Sequence, residues 1–458
     1  MKKIIILGAG EVGASVAENL ASEANDITVI DRDAARLKEL SARLDLRTVV
    51  GNAAHPSVLK EAGIQDCELL IAVTEVDEVN MIACKIAASL FSVPKRIARI
   101  RSVEYLADER LSGEALFAIN HVICPEQIVA DYVERLVSFP EALQVLEFAG
   151  GRVCLVAVRA RSDGLMVGFP IADLHHHLKE VDARIVCIFR EGRAITPEGS
   201  TVICTGDEVF FLSETSVMRR VMQELRKMDH AVEQVMIAGG SDTALRLAKD
   251  LQIDHHVKML VLDPVQAQDT AAALERTQVL LGSENDSMLL KSQNIDKVDL
   301  FVAATGNDER NIIASLLAKR LGARRVISLI HQSAFVDLLE DSGINIVIGV
   351  ADATIGSILS HVRMADVTVV HSLRRGAAEA LEIVVHGDRS SSACIGRRVD
   401  QIAWPDGSFL GAIARGTEVL MAHHSHSIQD GDHLIIFVSN KKVIRRVERL
   451  LQVSGLFI

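Results

Sequence analysis

The chain opens on an apolar run, Lys3-Ile4-Ile5-Ile6-Leu7, that passes directly into Gly8-Ala9-Gly10-Glu11-Val12-Gly13. A second apolar run ends at Asp31, eighteen residues past Gly13. A strand, a glycine turn, a helix and an acid-tipped strand form the start of a doubly wound parallel sheet. Gly8 permits the tight turn, Gly10 lets backbone approach a pyrophosphate, and Gly13 lets helix and strand pack closely. Amides at the helix start then face phosphate. The Asp31 carboxylate can hold both hydroxyls of an adenosine ribose and repels a 2′-phosphate, which favours NAD over NADP; Arg32 beside it blunts that preference. The bland alternative is a glycine turn that serves only close packing.

The pattern occurs twice, at an offset of about 231 residues. Gly239-Gly240-Ser241 and Ala244 overlay the first glycine loop, Leu260 to Asp263 overlay Val29 to Asp31, and Leu300 to Thr305 overlay Leu69 to Thr74. A repeat this long is a duplicated domain, since solenoid periods are about 20–50 residues.

Aromatics are only 3% of the chain, so Ile, Val, Leu and Ala must build the cores, as suits parallel strands buried on both faces. The net charge of −12 argues against a nucleic-acid partner and against direct adhesion to an acidic membrane. No apolar run approaches the ~18 residues that span a bilayer. Met1-Lys2-Lys3 runs straight into a strand, which reads as no signal peptide. Seven scattered cysteines without a CxxC read as reduced cytosolic thiols.

Strands are expected at 3–8, 26–31, 47–51, 69–73, 96–101 and 121–124, then at 153–158, 185–189 and 208–212 in a smaller module. The last quarter repeats that module: Gly431-Asp432 matches Gly206-Asp207, and Val443–Val447 matches Val217–Val221. The expected fold is α/β, with tandem Rossmann-like doubly wound parallel sheets, each followed by a small α+β lobe. The expected parts are a Rossmann lobe over 1–125, a crossover helix over 126–142 and a small lobe over 143–228. The second set is a Rossmann lobe over 232–349, a helix over 350–366 and a small lobe over 367–453. Met228–Gln234 is the expected hinge. The apolar stripes of Pro125–Pro140, and of Ile355, Ile358, Leu359 and Val362, call for a covering surface in the host domain or in a second copy.

Thr74-Glu75-Val76-Asp77 reads as a capping box at a helix start, repeated at Thr305 to Asp308, and it lies at the sheet edge where ligands bind. Arg99 and Arg101 share one face of a strand, where arginine can reach phosphate bidentately or simply line a solvated edge. Ser328 and Ile330 stand at the aligned positions of the second half. His175-His176-His177 and His423-His424-Ser425-His426 lack metal-ligand spacing and read as surface histidines, so no metal is expected. No catalytic arrangement of Ser, His, Cys or Asp stands out.

The motifs Ile4–Gly13, Asp26–Asp31, Asn80–Cys84, Arg96–Arg101, Ala142–Val145, Leu359–Arg363 and Ser372-Leu373-Arg374-Arg375-Gly376, in this duplicated order, resemble the RCK (KTN) family of potassium-transport regulators over essentially the whole chain. The resemblance implies NAD or NADH in the first lobe, or ATP or ADP, contacted by Gly8, Ala9, Gly10, Glu11, Val12, Asp31, Thr74, Glu75 and Arg99. The equivalent second-lobe set is Gly239, Gly240, Ser241, Asp263 and Thr305, but Gly239-x-Ser241-x-x-Ala244 departs from the glycine pattern while Asp263 is retained.

The resemblance further implies a non-enzymatic regulator that gates a Trk-type integral-membrane potassium transporter. Such a regulator is a homo-oligomer in the cytoplasm, peripheral on the cytosolic face of the bacterial inner membrane through that transporter. The competing class is an NAD-dependent oxidoreductase. Two small repeated lobes leave no substantial catalytic domain for it, and no positioned His, Lys or Tyr stands out as an acid–base group.

Overall fold

A computed structural model describes residues 2–21, 25–178, 181–195, 197–227, 231–339, 342–363, 366–373, 378–423, 425–439 and 443–452. In the first lobe, β1 (Lys3–Leu7), β2 (Asp26–Asp31), β3 (Arg47–Val50), β4 (Leu69–Ala72), β5 (Lys95–Arg99) and β6 (His121–Ile123) form one parallel sheet. Its order, β3-β2-β1-β4-β5-β6, reverses beside β1 and opens the crevice where such sheets bind ligands. Ile4–Leu7 and Leu69–Ala72 are buried on both faces, because helices cover both sides. The helix Asp77–Phe91 presents Ala83, Cys84 and Ala87 to the sheet, and these small residues allow close approach.

The first small lobe is antiparallel: β7 (Ala142–Phe148), β8 (Val153–Arg159), β9 (Ala183–Arg190), β10 (Arg193–Ile195) and β11 (Glu208–Glu214), in the order β10-β9-β11-β8-β7. Strands β7 and β10 add to the three expected. Gln144 and Glu147 interrupt the apolar pattern of β7, and β10 is three residues long.

The second Rossmann lobe repeats the first with β12 (Gln234–Ala238), β13 (His256–Val261), β14 (Gln278–Leu281), β15 (Leu300–Ala303), β16 (Arg325–Ile330) and β17 (Ile346–Gly349), ordered β14-β13-β12-β15-β16-β17. The second small lobe has β18 (Val367–Leu373), β19 (Ala378–Val384), β20 (Ser408–Arg415), β21 (Glu418–Met421) and β22 (His433–Val438), in the same topology as the first small lobe. The expected hinge lies partly outside the described residues at 228–230, and so do positions 374–376 of the last motif.

The lobes alternate along the chain but associate by kind. Met1–Asp131 and Glu233–Val362 make one compact unit; Tyr132–Val232 and Arg363–Ile458 make the other. In the Rossmann unit, the helix Glu11–Ala21 packs against the helix Val350–Val362. Ile355, Ile358, Leu359 and Val362 are therefore buried within the chain. Val129, Val133, Leu136 and Val137 are buried too. Of the two coverings expected, the host domain or a second copy, the chain supplies the first, so these stripes do not offer the subunit-pairing surface. The symmetric contact includes Arg246, which donates to Gln127 Oε1 at 3.0 Å and to the Arg101 carbonyl at 2.9 Å.

In the other unit, both small lobes contribute to one core, with Leu146, Phe148, Leu155, Phe210 and Leu212 beside Ala380, Ala412, Ile435 and Phe437. The scarce aromatics thus concentrate here. The Gly-Asp motifs are structural: Asp207 takes a bidentate pair from Arg190 and Asp432 one from Arg415, all four bonds 2.8 Å long.

Candidate functional site

At the carboxyl ends of β1, β2, β4 and β5 lies a cleft of about 600 Å³. Gly8, Gly10, Glu11, Val12, Asp31, Thr74, Glu75 and Arg99 all line it, together with Arg36 and Arg101. Gly8 takes φ +104°, a conformation L side chains rarely adopt. A Cβ on Gly13 would sit 1.9 Å from the Gly8 carbonyl oxygen, whereas one on Gly10 would meet nothing closer than Arg36 Nη1 at 3.8 Å. Gly13 thus serves packing, and Gly10 keeps the approach to the loop open. Gly13→Ala should force the loop apart and destabilise the protein by about 2 kcal/mol. A lowered denaturation midpoint checks it, and an unchanged midpoint counts against the packing role.

Asp31 Oδ2 accepts from Ala9 N at 2.6 Å and Oδ1 from Asp33 N at 2.8 Å. A carboxylate has about four lone-pair sites, so it can still accept from two hydroxyls. Arg99 pairs with Glu126 at 3.0 Å, both largely buried, and its Nε has no hydrogen-bond partner among the described residues. Arg101 lies 3.8 Å from Asp77 and donates to the Glu75 carbonyl. Burial raises the Glu11 pKa from its ordinary value, partly opposed by the Ser333 amide. The open glycine loop, the spare acceptors of Asp31 and the orphaned Arg99 Nε fit an adenine dinucleotide.

The capping-box expectation is corrected. The helix starts at Asp77, and its N-cap residue Val76 makes no side-chain cap. Asn80, fully buried, does the organising: its Oδ1 accepts from Thr74 N and Oγ1, and its Nδ2 donates to the carbonyls of Thr74 and Arg99. Asn311 repeats this with Thr305 and Leu329. The same asparagine recurring early in both helices was the available signal.

The second lobe differs at nearly every cleft position. Gly239 N bonds the Leu260 carbonyl as Gly8 N bonds that of Ile30, so Val261, not Asp263, matches Asp31. Asp263 instead caps the helix Pro264–Ala273, as Asp33 caps the helix Ala34–Arg43. The retained acid is thus a capping residue, because the overlay is one residue shorter at β13 than at the glycine loop. Likewise Leu329 and His331, not Ser328 and Ile330, match Arg99 and Arg101. Ser241 caps its helix and bonds the Ala304 carbonyl.

Gln266 donates to the Gly240 carbonyl, and a Cβ on Gly240 would meet its side chain at 2.5 Å. Where the first cleft has Ala53 and Val79, the second lobe has Glu284 and Arg310, joined by two bonds of 2.7 and 2.9 Å with Glu284 fully buried. The two lobes' loops overlay, but Gln266, Glu284 and Arg310 stand where the first cleft has Arg36, Ala53 and Val79.

The seven cysteines form no disulfide among the described residues. His423 lies 3.2 Å from Asp182, and His177 Nδ1 lies 3.2 Å from Glu224; His424 and the His175 side chain lie outside the described residues.

The chain matches the TrkA-N domain family twice, over residues 4–125 and 235–350. The Trk system potassium uptake protein TrkA of Halomonas elongata is 49% identical over 455 residues, covering 99% of this chain and 100% of that protein. The protein of the same name from Vibrio alginolyticus is 47% identical over 457 residues, covering 100% of both. Among solved structures, the GsuK channel bound to NAD has a TM-score of 0.61 at 16% identity, covering 98% of this chain and 78% of that one, a likeness of fold. With both Rossmann lobes matched and relatives this close over full length, the chain belongs to the TrkA family of Trk system potassium uptake proteins.

Proposed function

We propose that the protein is a nucleotide-sensing regulatory subunit of a Trk-type potassium uptake system. The first lobe takes NAD or NADH, with ATP or ADP as the competing ligands, and the protein catalyses no reaction. Asp31 holds the adenosine ribose, the Gly8–Gly13 loop lies under the pyrophosphate, and Arg99 and Arg101 offer cations nearby. The observation that carries this reading is the make-up of the cleft: residues of both Rossmann lobes line it, so a ligand there bears on how the lobes pack. Family membership supplies the transport context. The energy available to move a gate is the difference in nucleotide affinity between two states of the assembly.

No helix among the described residues is long and apolar enough to cross a membrane. Association with the cytosolic face therefore rests on contacts with the integral-membrane transporter, made by a homo-oligomer of this chain. Deleting the protein should impair potassium-limited growth, and fractionation should place it at the membrane only with the transporter present. Normal potassium uptake after deletion, or membrane retention without the transporter, overturns this reading.

Calorimetry of the full chain should give one NADH per chain, because Glu284, Arg310 and Gln266 stand at the second lobe's cleft positions. Two equivalent sites would show that this ion pair opens readily. The oxidoreductase reading predicts loss of nicotinamide absorbance with a panel of carbonyl acceptors; the regulatory reading predicts none.

A further inference from the structure

The first lobe does not close its own cleft. Thr243, Gly306, His331, Val350 and Ala351 of the second lobe complete the lining. Of these five only His331 can carry charge. It occupies the register position that Arg101 holds in the first sheet: His331 N bonds Asp308 as Arg101 N bonds Asp77. Its Nδ1 lies 2.8 Å from Asp308 Oδ1, and its side chain is 45% exposed. Nε2 makes no hydrogen bond among the described residues.

Burial acts to raise the Asp308 pKa. The bonds from His331 Nδ1 and from the amides of Gln332 and His331 outweigh it and hold the group below the ordinary carboxylate value. Asp308 therefore stays an acceptor, and Nδ1 donates to it. A phosphate oxygen is also an acceptor. A ring placed between the two satisfies both only as an imidazolium, which donates from both nitrogens.

We propose that His331, carried by the second Rossmann lobe, is a binding residue for the nucleotide in the first lobe's cleft, where Nε2–H donates to a phosphate oxygen. The inference rests on the first lobe being the nucleotide site. It gives the second lobe a role that its own altered cleft does not: a roof that touches the ligand and so couples ligand to lobe packing. The charged side chains that line the same cleft are Glu11, Asp31, Arg32, Arg36, Glu75, Arg99, Arg101 and Glu126 of the first lobe, and Asp308 of the second bonds the ring.

The test is calorimetric titration of NADH into full-length wild type, His331→Gln and His331→Arg. His331→Gln should bind about tenfold more weakly than wild type. His331→Arg should bind about as well as wild type, because a guanidinium also donates to phosphate. A His331→Gln protein with wild-type affinity, or a His331→Arg protein that binds no better than His331→Gln, overturns the proposal. Asp31→Ala separates the two readings. If it abolishes binding while His331→Gln does nothing, the nucleotide site stands and the His331 contact falls. If wild type does not bind NADH, both fall.

Discussion

Asp31→Ala is expected to weaken NADH binding by about 2–3 kcal/mol, roughly 30- to 150-fold. Two effects combine. The carboxylate would accept charge-assisted bonds from the ribose, each stronger than a neutral bond. It also holds the glycine loop through Ala9 N and fixes the next turn through Asp33 N. Asp31→Asn divides these roles, because an amide oxygen can keep one loop contact but cannot accept from two hydroxyls and a loop amide together. Its affinity should lie between wild type and Asp31→Ala. Calorimetric affinity unchanged in a folded Asp31→Ala protein would remove Asp31 from the site.

Acid should destabilise the unit formed by the small lobes, and His371 should account for a distinct share. Burial is the chief cause that pushes its pKa from 6.5 down to about 4; the Glu147 carbonyl, which accepts from Nε2 at 3.0 Å, opposes this, and nearby Arg135 adds to it. The Phe148 ring stands edge-on to it at 5.1 Å. The folded state thus prefers the neutral ring, and the unfolded chain takes up a proton first as pH falls. The contribution is fully present above pH 6.5 and is lost between pH 6.5 and 4, about 3 kcal/mol in all. His371→Gln keeps a donor for Glu147 but cannot titrate. The stability difference between wild type and His371→Gln should therefore shift against wild type across that window. A difference independent of pH from 7 to 4 would show that His371 is not the titrating group.

Much of the first lobe was legible because its signals are local. A glycine with positive φ, a β-branched strand and an acid at a strand end act over a few residues, so Gly8, Gly13 and Asp31 could be placed from spacing alone. Thr74 was misread because Asn80, one turn into the helix, takes its bonds, and Asp77 because its partners lie on the far side of β5. Asn80 and the amides of Arg101 and Ser102 take the hydrogen bonds that a capping box would have made. Asp263 was misread because the offset of 231 residues is not constant: it holds at the glycine loop, is one residue shorter at β13 and returns at β14. Only hydrogen-bond register distinguishes an acid at a strand end from one that caps the next helix.

The sequence by itself determined the duplicated α/β plan, the complete nucleotide fingerprint in the first half and its erosion in the second. Those follow from periodicity and residue type, which the chain carries at every position. Tertiary structure alone decided that Rossmann lobe joins Rossmann lobe and small lobe joins small lobe, that the apolar stripes are covered within the chain, and that His331 enters the first lobe's cleft. It also paired Glu284 with Arg310 in the second lobe. Each of these joins residues through space: the cleft that Gly8 and His331 both line draws on positions far apart in the chain, and no local propensity encodes which of several apolar faces will meet.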